Sequence, residues 1–171
     1  EAHVGLGNVL RSRGDPAGAR AAYEAALGVD PGNASAHYNF GGLLLEAGDA
    51  AGAERSLRKA LEREPRNPLA LNNLGAALRE AGRTAEAREC FEAAVALDPR
   101  NVEALNNLGL ALQHEEQFPE AIARYREAAQ LRPGFAEALL NWGNTLKDMG
   151  DLDGASAIYA KALAIRPGFA E

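Results

Sequence analysis

Five prolines, Pro31, Pro65, Pro99, Pro133 and Pro167, stand 34 residues apart along a chain of 171 residues. A fixed period of that length means a stack of one repeated unit, because no single unit can bury its apolar face alone. In this register the chain falls into copies at 1–33, 34–67, 68–101, 102–135 and 136–169, with Ala170 and Glu171 opening a sixth. Gly7, Gly41, Gly75, Gly109 and Gly143 form one column. Ala19, Ala53, Ala87, Ala121 and Ala155 form a second, and Ala26, Ala60, Ala94, Ala128 and Ala162 a third. A fourth is bulky: Tyr23, Leu57, Phe91, Tyr125 and Tyr159.

Each copy reads as two antiparallel helices, A and B. In the third copy, apolar residues at Ala70, Leu71, Leu74, Ala77, Leu78 and Ala81 recur at the spacing of one buried helical face. This predicts helix A over 69–81 and helix B over 85–96. Glycines at 14, 48, 82 and 150 separate the two helices, since glycine accepts the left-handed backbone that ends a helix. Helix B closes before the proline, and Asn33, Asn67 and Asn101 sit where the next helix A needs an N-cap. The fourth copy departs from the pattern, with Glu116 in the glycine position and Gln117-Phe118-Pro119 after it. A left-handed non-glycine residue costs on the order of 1 kcal/mol, so the expectation there is a slightly different turn with Pro119 starting helix B.

The columns resemble the tetratricopeptide repeat, whose signature is a large apolar residue and Gly, then spaced Ala, aromatic, Ala and Pro. The first pair reads Leu6-Gly7, Phe40-Gly41, Leu74-Gly75, Leu108-Gly109 and Trp142-Gly143. The resemblance covers the whole chain. It implies an all-α fold, a right-handed superhelical solenoid of five helix-turn-helix repeats forming a single domain over 1–171. It implies function only as a class, the protein–protein interaction scaffold. The chain starts inside one helix A and stops as another opens, so the expectation is a piece of a longer protein. Ile158, Leu163 and Ile165 on the last helix B would leave an uncapped apolar face, which points to end-to-end self-association.

Composition narrows the partners. The net charge is −6 and no copy is net positive, which argues against a nucleic-acid backbone as ligand. No apolar run is long enough to span a membrane. The lone Cys90 cannot form an internal disulfide and is expected packed or half-buried beside Phe91. It is compatible with a reducing compartment, and the cytoplasm is the favoured location. His3 and His37 share a column with Leu71, Leu105 and Leu139, which predicts half-buried helix A positions. No metal-ligand spacing, phosphate loop, dinucleotide fingerprint or nucleophile elbow occurs, so no catalytic residue, metal or cofactor is assigned and the chain is not read as an enzyme.

The A helices of such a stack line its concave side. Their outward positions include Asn39, Asn73, Asn107 and Asn141, flanked by Tyr38, Asn72 and Asn106, with Asn144, Arg79, Gln113 and Lys147 further along. Asn is a mediocre helix former, yet it stands mid-helix in four successive copies. Its amide offers a donor and an acceptor together, so a row of them can grip an extended peptide without reading side chains. The column is similar to the asparagine ladder in the repeat arm of protein O-linked N-acetylglucosamine transferases, which holds peptide main chain. That resemblance implies peptide contact by Asn39, Asn73, Asn107 and Asn141. The same amides could instead bond between neighbouring A helices, and the two roles can coexist. Arg79 and Lys147 would add contacts to acidic groups. Lysines of the clamp that captures chaperone C-termini are absent. Two alternatives stand beside peptide capture: a substrate-recruiting arm for a glycosyltransferase domain outside this chain, and an end-to-end self-assembling scaffold.

Overall fold

The structure, a computed structural model, describes residues 1–170, with side chains as far as Gly168. Glu171, assigned from the sequence to a sixth copy, lies outside the described residues. Ten α-helices and one short 3₁₀ helix make up the described chain, which divides into two compact units, Glu1–Cys90 and Phe91–Glu171.

The first unit contains α1 (Ala2–Ser12), α2 (Pro16–Val29), α3 (Ala34–Glu46), α4 (Ala50–Arg63), α5 (Pro68–Glu80) and the start of α6 (Thr84–Leu97). The third copy thus forms helices within a residue of the expected limits. Helix A of each hairpin lies against its own helix B, α1 on α2 and α3 on α4, while α2 packs on α3 and α4 on α5 across the copy boundary. Successive A helices also touch, α1 with α3 and α3 with α5. Ala19, Tyr23 and Leu43 form one buried cluster; Val4, Ala26 and Ala36 form another. His37 is buried on α3, and its Nε2 lies 2.9 Å from the Pro31 carbonyl oxygen. His3 is exposed, against expectation. The reason is that α2 packs on α3, whereas no helix of this unit covers the matching face of α1.

The second unit holds the rest of α6, then α7 (Val102–His114), α8 (Phe118–Leu131), α9 (Ala136–Asp148) and α10 (Leu152–Ile165), with the 3₁₀ turn at Pro167–Ala170. α7 pairs with α8 and α9 with α10, while α8 and α7 both touch α9. Leu139, Ile158 and Ala162 are buried together, so Ile158 belongs to the hairpin's own core; Leu163 and Ile165 remain exposed. Packing on Leu139 is what withdraws Ile158 from the apolar end face expected from sequence.

The glycine column fixes how closely A and B approach. A Cβ on Gly109 would lie 2.5 Å from the Tyr125 ring, and one on Gly143 2.5 Å from the Tyr159 ring. On Gly41 it would lie 2.6 Å from Leu57. Rings and branched chains of helix B therefore rest directly on the backbone of helix A, and Tyr23, Leu57 and Tyr125 have no exposed surface.

Helix ends follow local chemistry. Asn33 and Asn101 accept from the backbone N–H of Ala36 and Ala104 at 2.8 and 3.0 Å, and Asn67 from Ala70 at 3.0 Å. Helix B has its own caps, which the sequence reading did not assign. Asp15, Asp49 and Asp151 accept from Gly18, Gly52 and Gly154 at 2.9, 2.8 and 2.9 Å.

The fourth copy uses the same turn as its neighbours, which corrects the expectation of a different one. Glu116 has φ 59°, beside 75°, 75°, 77° and 84° at Gly14, Gly48, Gly82 and Gly150. The backbone bond that closes the turn is also retained. Gln117 N–H reaches the Leu112 carbonyl at 2.9 Å, as Asp15 reaches Leu10 and Asp151 reaches Leu146. Helix α8 begins at Phe118, with Pro119 inside its first turn. Satisfying helix-end carbonyls within an unchanged hairpin outweighs one strained residue. Glu116→Gly is expected to raise stability by about 1 kcal/mol in urea denaturation. Gly143→Ala is expected to lower it by about 1–3 kcal/mol through overpacking against Tyr159.

Candidate functional site

Each A helix turns one side toward its B helix and leaves another outward. In the first unit, α3 and α5 carry Tyr38, Asn39, Asn72, Asn73 and Arg79, all half-buried. Asn39 donates its Nδ2–H to the Ser35 carbonyl one turn back, at 2.8 Å. That bond orients the amide and leaves its own carbonyl oxygen uncommitted. Asn72 and Arg79 are engaged with neighbouring groups.

In the second unit, Asn106 is buried and Asn107 half-buried. Asn141 on α9 donates Nδ2–H to Asn106 Oδ1 on α7 at 2.9 Å, and Asn106 in turn donates to Glu137 at 3.3 Å. Bonding between neighbouring A helices is thus real at this pair, and Asn141 still keeps its carbonyl oxygen. Asn107 is engaged as well. Gln113 donates Nε2–H to Asp148 at 2.9 Å, and Lys147 is exposed.

The rungs between A helices share one register. Arg11–Glu46, Asn106–Asn141 and Gln113–Asp148 are each 35 residues apart, one repeat plus one residue. Arg11 grips Glu46 with two bonds, Nε to Oε2 at 3.0 Å and Nη2 to Oε1 at 2.5 Å. This hydrogen bonding to Glu46 holds the Arg11 guanidinium above its ordinary pKa.

A second pattern ties helix B to the outward side of helix A. The tyrosines of helix B reach past the packing glycine and place their hydroxyls on the outward side of helix A. Tyr23 donates to Asn8 Oδ1 at 2.7 Å, Tyr159 to Asn144 Oδ1 at 2.7 Å, and Tyr125 to Gln113 Oε1 at 3.0 Å. The signal for it was present: Asn8 and Asn144 each precede a tyrosine by 15 residues. Where the bulky residue is Leu57 or Phe91, that position is Gly42 or Ala76. A buried hydroxyl without a partner is costly, so a tyrosine calls for an amide and a leucine or phenylalanine does not. Burial also pushes the Tyr23 hydroxyl above the usual phenol pKa.

Of the residues singled out from sequence, Gln113, Asn141 and Asn144 come together in one cavity of about 480 Å³ in the second unit. Leu110, His114, Glu116, Phe118 and Asp148 complete its lining. A cavity of about 340 Å³ occupies the corresponding place in the first unit, lined by Arg11, Gly14, Pro16, Leu43, Glu46 and Ala47. Tyr38, Asn39, Asn72, Asn73 and Arg79 line neither cavity. Cys90 is half-buried, and that burial raises its thiol pKa. Among the described residues, no three His, Cys, Asp or Glu side chains converge as a metal site, and no helix is long and apolar enough to cross a membrane.

Models of the tetratricopeptide repeat match residues 4–68, 41–99, 73–136 and 112–171. No curated protein sequence matches. Among solved structures, MamA is 27% identical with a TM-score of 0.81, covering 96% of this chain and 96% of its own. YrrB, described as a TPR protein with an unusual peptide-binding site, is 27% identical with a TM-score of 0.76 over 96% of this chain and 85% of its own. PilF of Pseudomonas aeruginosa is 25% identical with a TM-score of 0.85, covering 96% and 75% respectively.

The tyrosine–amide bond is testable by a double-mutant cycle. Asn8→Ala is expected to cost about 1–2 kcal/mol by removing the acceptor of the Tyr23 hydroxyl. In the Tyr23→Phe background the same change is expected to cost far less, both read from urea denaturation.

Proposed function

The chain belongs to the tetratricopeptide repeat family, and we propose that it is a non-enzymatic scaffold that holds an extended segment of another protein by its main chain. Within each unit the contacts are made by the outward faces of the A helices, α3 and α5 in the first and α7 and α9 in the second. One observation carries this reading: amides on these faces are half-committed. Asn39 and Asn141 each use an N–H within the protein and keep a carbonyl oxygen. Asn144 uses its carbonyl oxygen and keeps its NH₂.

Such a group is already oriented before a ligand arrives. Binding then orders fewer rotamers than a freely rotating amide would require. An acceptor and a donor pair are what a peptide N–H and C=O require. The relative YrrB, a TPR protein with a peptide-binding site, supports the same class of ligand. The bond from Asn141 to Asn106 has a double use in this scheme, joining α7 to α9 and aiming the remaining carbonyl.

The test begins with the tightest ten-residue peptide selected from a random display library against the whole chain. Asn73→Ala combined with Asn107→Ala, and separately Asn39→Ala with Asn141→Ala, are expected to weaken that peptide by tenfold or more. Far-UV circular dichroism should report unchanged helicity. Full retention of affinity in both pairs would contradict the proposal.

A further inference from the structure

We propose that the cavity at α7, α8 and α9 receives an arginine side chain from the bound segment, so that the partner of this scaffold carries a basic residue there. The inference rests on the main-chain grip just described and adds what that grip leaves open, the chemistry of one partner side chain.

The first unit supplies the template. Gln113, Glu116, Phe118 and Asp148 stand three whole repeats after Arg11, Gly14, Pro16 and Glu46, and both sets line equivalent cavities. In the first unit the chain supplies a guanidinium of its own to the cavity wall, Arg11 gripping Glu46 through two bonds. In the second unit the cation is replaced by neutral Gln113, which gives Asp148 a single bond to Oδ2. Glu116 adds a second carboxylate where the first unit has Gly14. No lysine or arginine lines this larger cavity. Lys147 lies beside Asp148 in sequence, is exposed, and forms no ion pair among the described residues.

The walls suit the rest of the side chain. Leu110 and half-buried Phe118 offer apolar surface for the methylene stem and a ring face for the planar guanidinium. Arginine fits better than lysine because its fork can bond the open oxygen of Asp148 and reach the Glu116 carboxylate together. Asn141 and Asn144, with carbonyl oxygen and NH₂ uncommitted, line the same cavity and face the main chain on either side of that residue.

Two capped nine-residue peptides test this on the whole chain. One carries a central arginine among alanines and serines; its twin carries citrulline, which keeps the shape and loses the charge. In ¹⁵N-resolved NMR titrations the arginine peptide is expected to bind about fivefold tighter and to shift the side-chain amide signals of Gln113 and Asn144. Asp148→Asn should bring the two peptides to parity. So should Leu110→Asn combined with Gln113→Arg, which copies Asn8 and Arg11 and pairs Asp148 with a cation from within. Equal binding of both peptides by the native chain overturns the arginine site and leaves the main-chain grip standing. A preference that survives in both variants also overturns it. Binding of neither peptide removes the main-chain grip, and this inference with it.

Discussion

The contact between a bare helix A backbone and a bulky helix B side chain is the constraint on which the rest of this protein depends. With no Cβ at Gly109 or Gly143, the Tyr125 and Tyr159 rings lie where a methyl group would otherwise sit. That closeness sets the hairpin and, through it, what the outward face of helix A presents. A tyrosine long enough to pass the glycine delivers its hydroxyl to Asn8, Gln113 or Asn144. Core packing and the orientation of the outer amides are therefore one mechanical system. An amide held by a buried tyrosine is fixed from beneath, as an amide held by a neighbouring A helix is fixed from the side.

The register between A helices extends the same logic. At three places residues one repeat plus one apart meet, so the partner of such a position is set by the next copy's sequence. A charged pair at one such rung, Arg11 with Glu46, becomes an amide–carboxylate pair at Gln113 and Asp148. The backbone frame is unchanged while the chemistry of the face is rewritten. Glu116 belongs to the same pattern. The hairpin holds it left-handed, as it holds the glycines, and so places a carboxylate beside a cavity at a modest conformational cost.

Much of the fold was legible because its signals are local or strictly periodic. The prolines fixed the repeat length, the glycine and alanine columns marked the close approach of helices, and Asn33, Asn67 and Asn101 announced their caps. The Glu116 turn was not legible because local preference disfavours a left-handed glutamate, while the carbonyl bonding of the whole hairpin imposes it. Exposure of His3 was missed because a column average ignores which helix has a neighbour. On the outer face, residue types and helix assignments were readable, but which half of each amide is committed was not. That depends on the offset of one residue between neighbouring A helices and on how far a ring projects past a glycine, both three-dimensional quantities. The tyrosine–asparagine pairing could have been found by comparing two columns rather than reading each alone.

What the outer face recognises follows from the halves of its amides left over once the protein has used the others. The most direct test compares a bound peptide with its twins methylated on one backbone nitrogen at a time, which removes a main-chain donor and keeps every side chain. If Asn39 and Asn141 meet peptide N–H groups with their open carbonyls, methylation at the facing positions should weaken binding by tenfold or more, while alanine substitution of most side chains changes little. Binding that tolerates methylation everywhere and depends only on side chains would contradict the account.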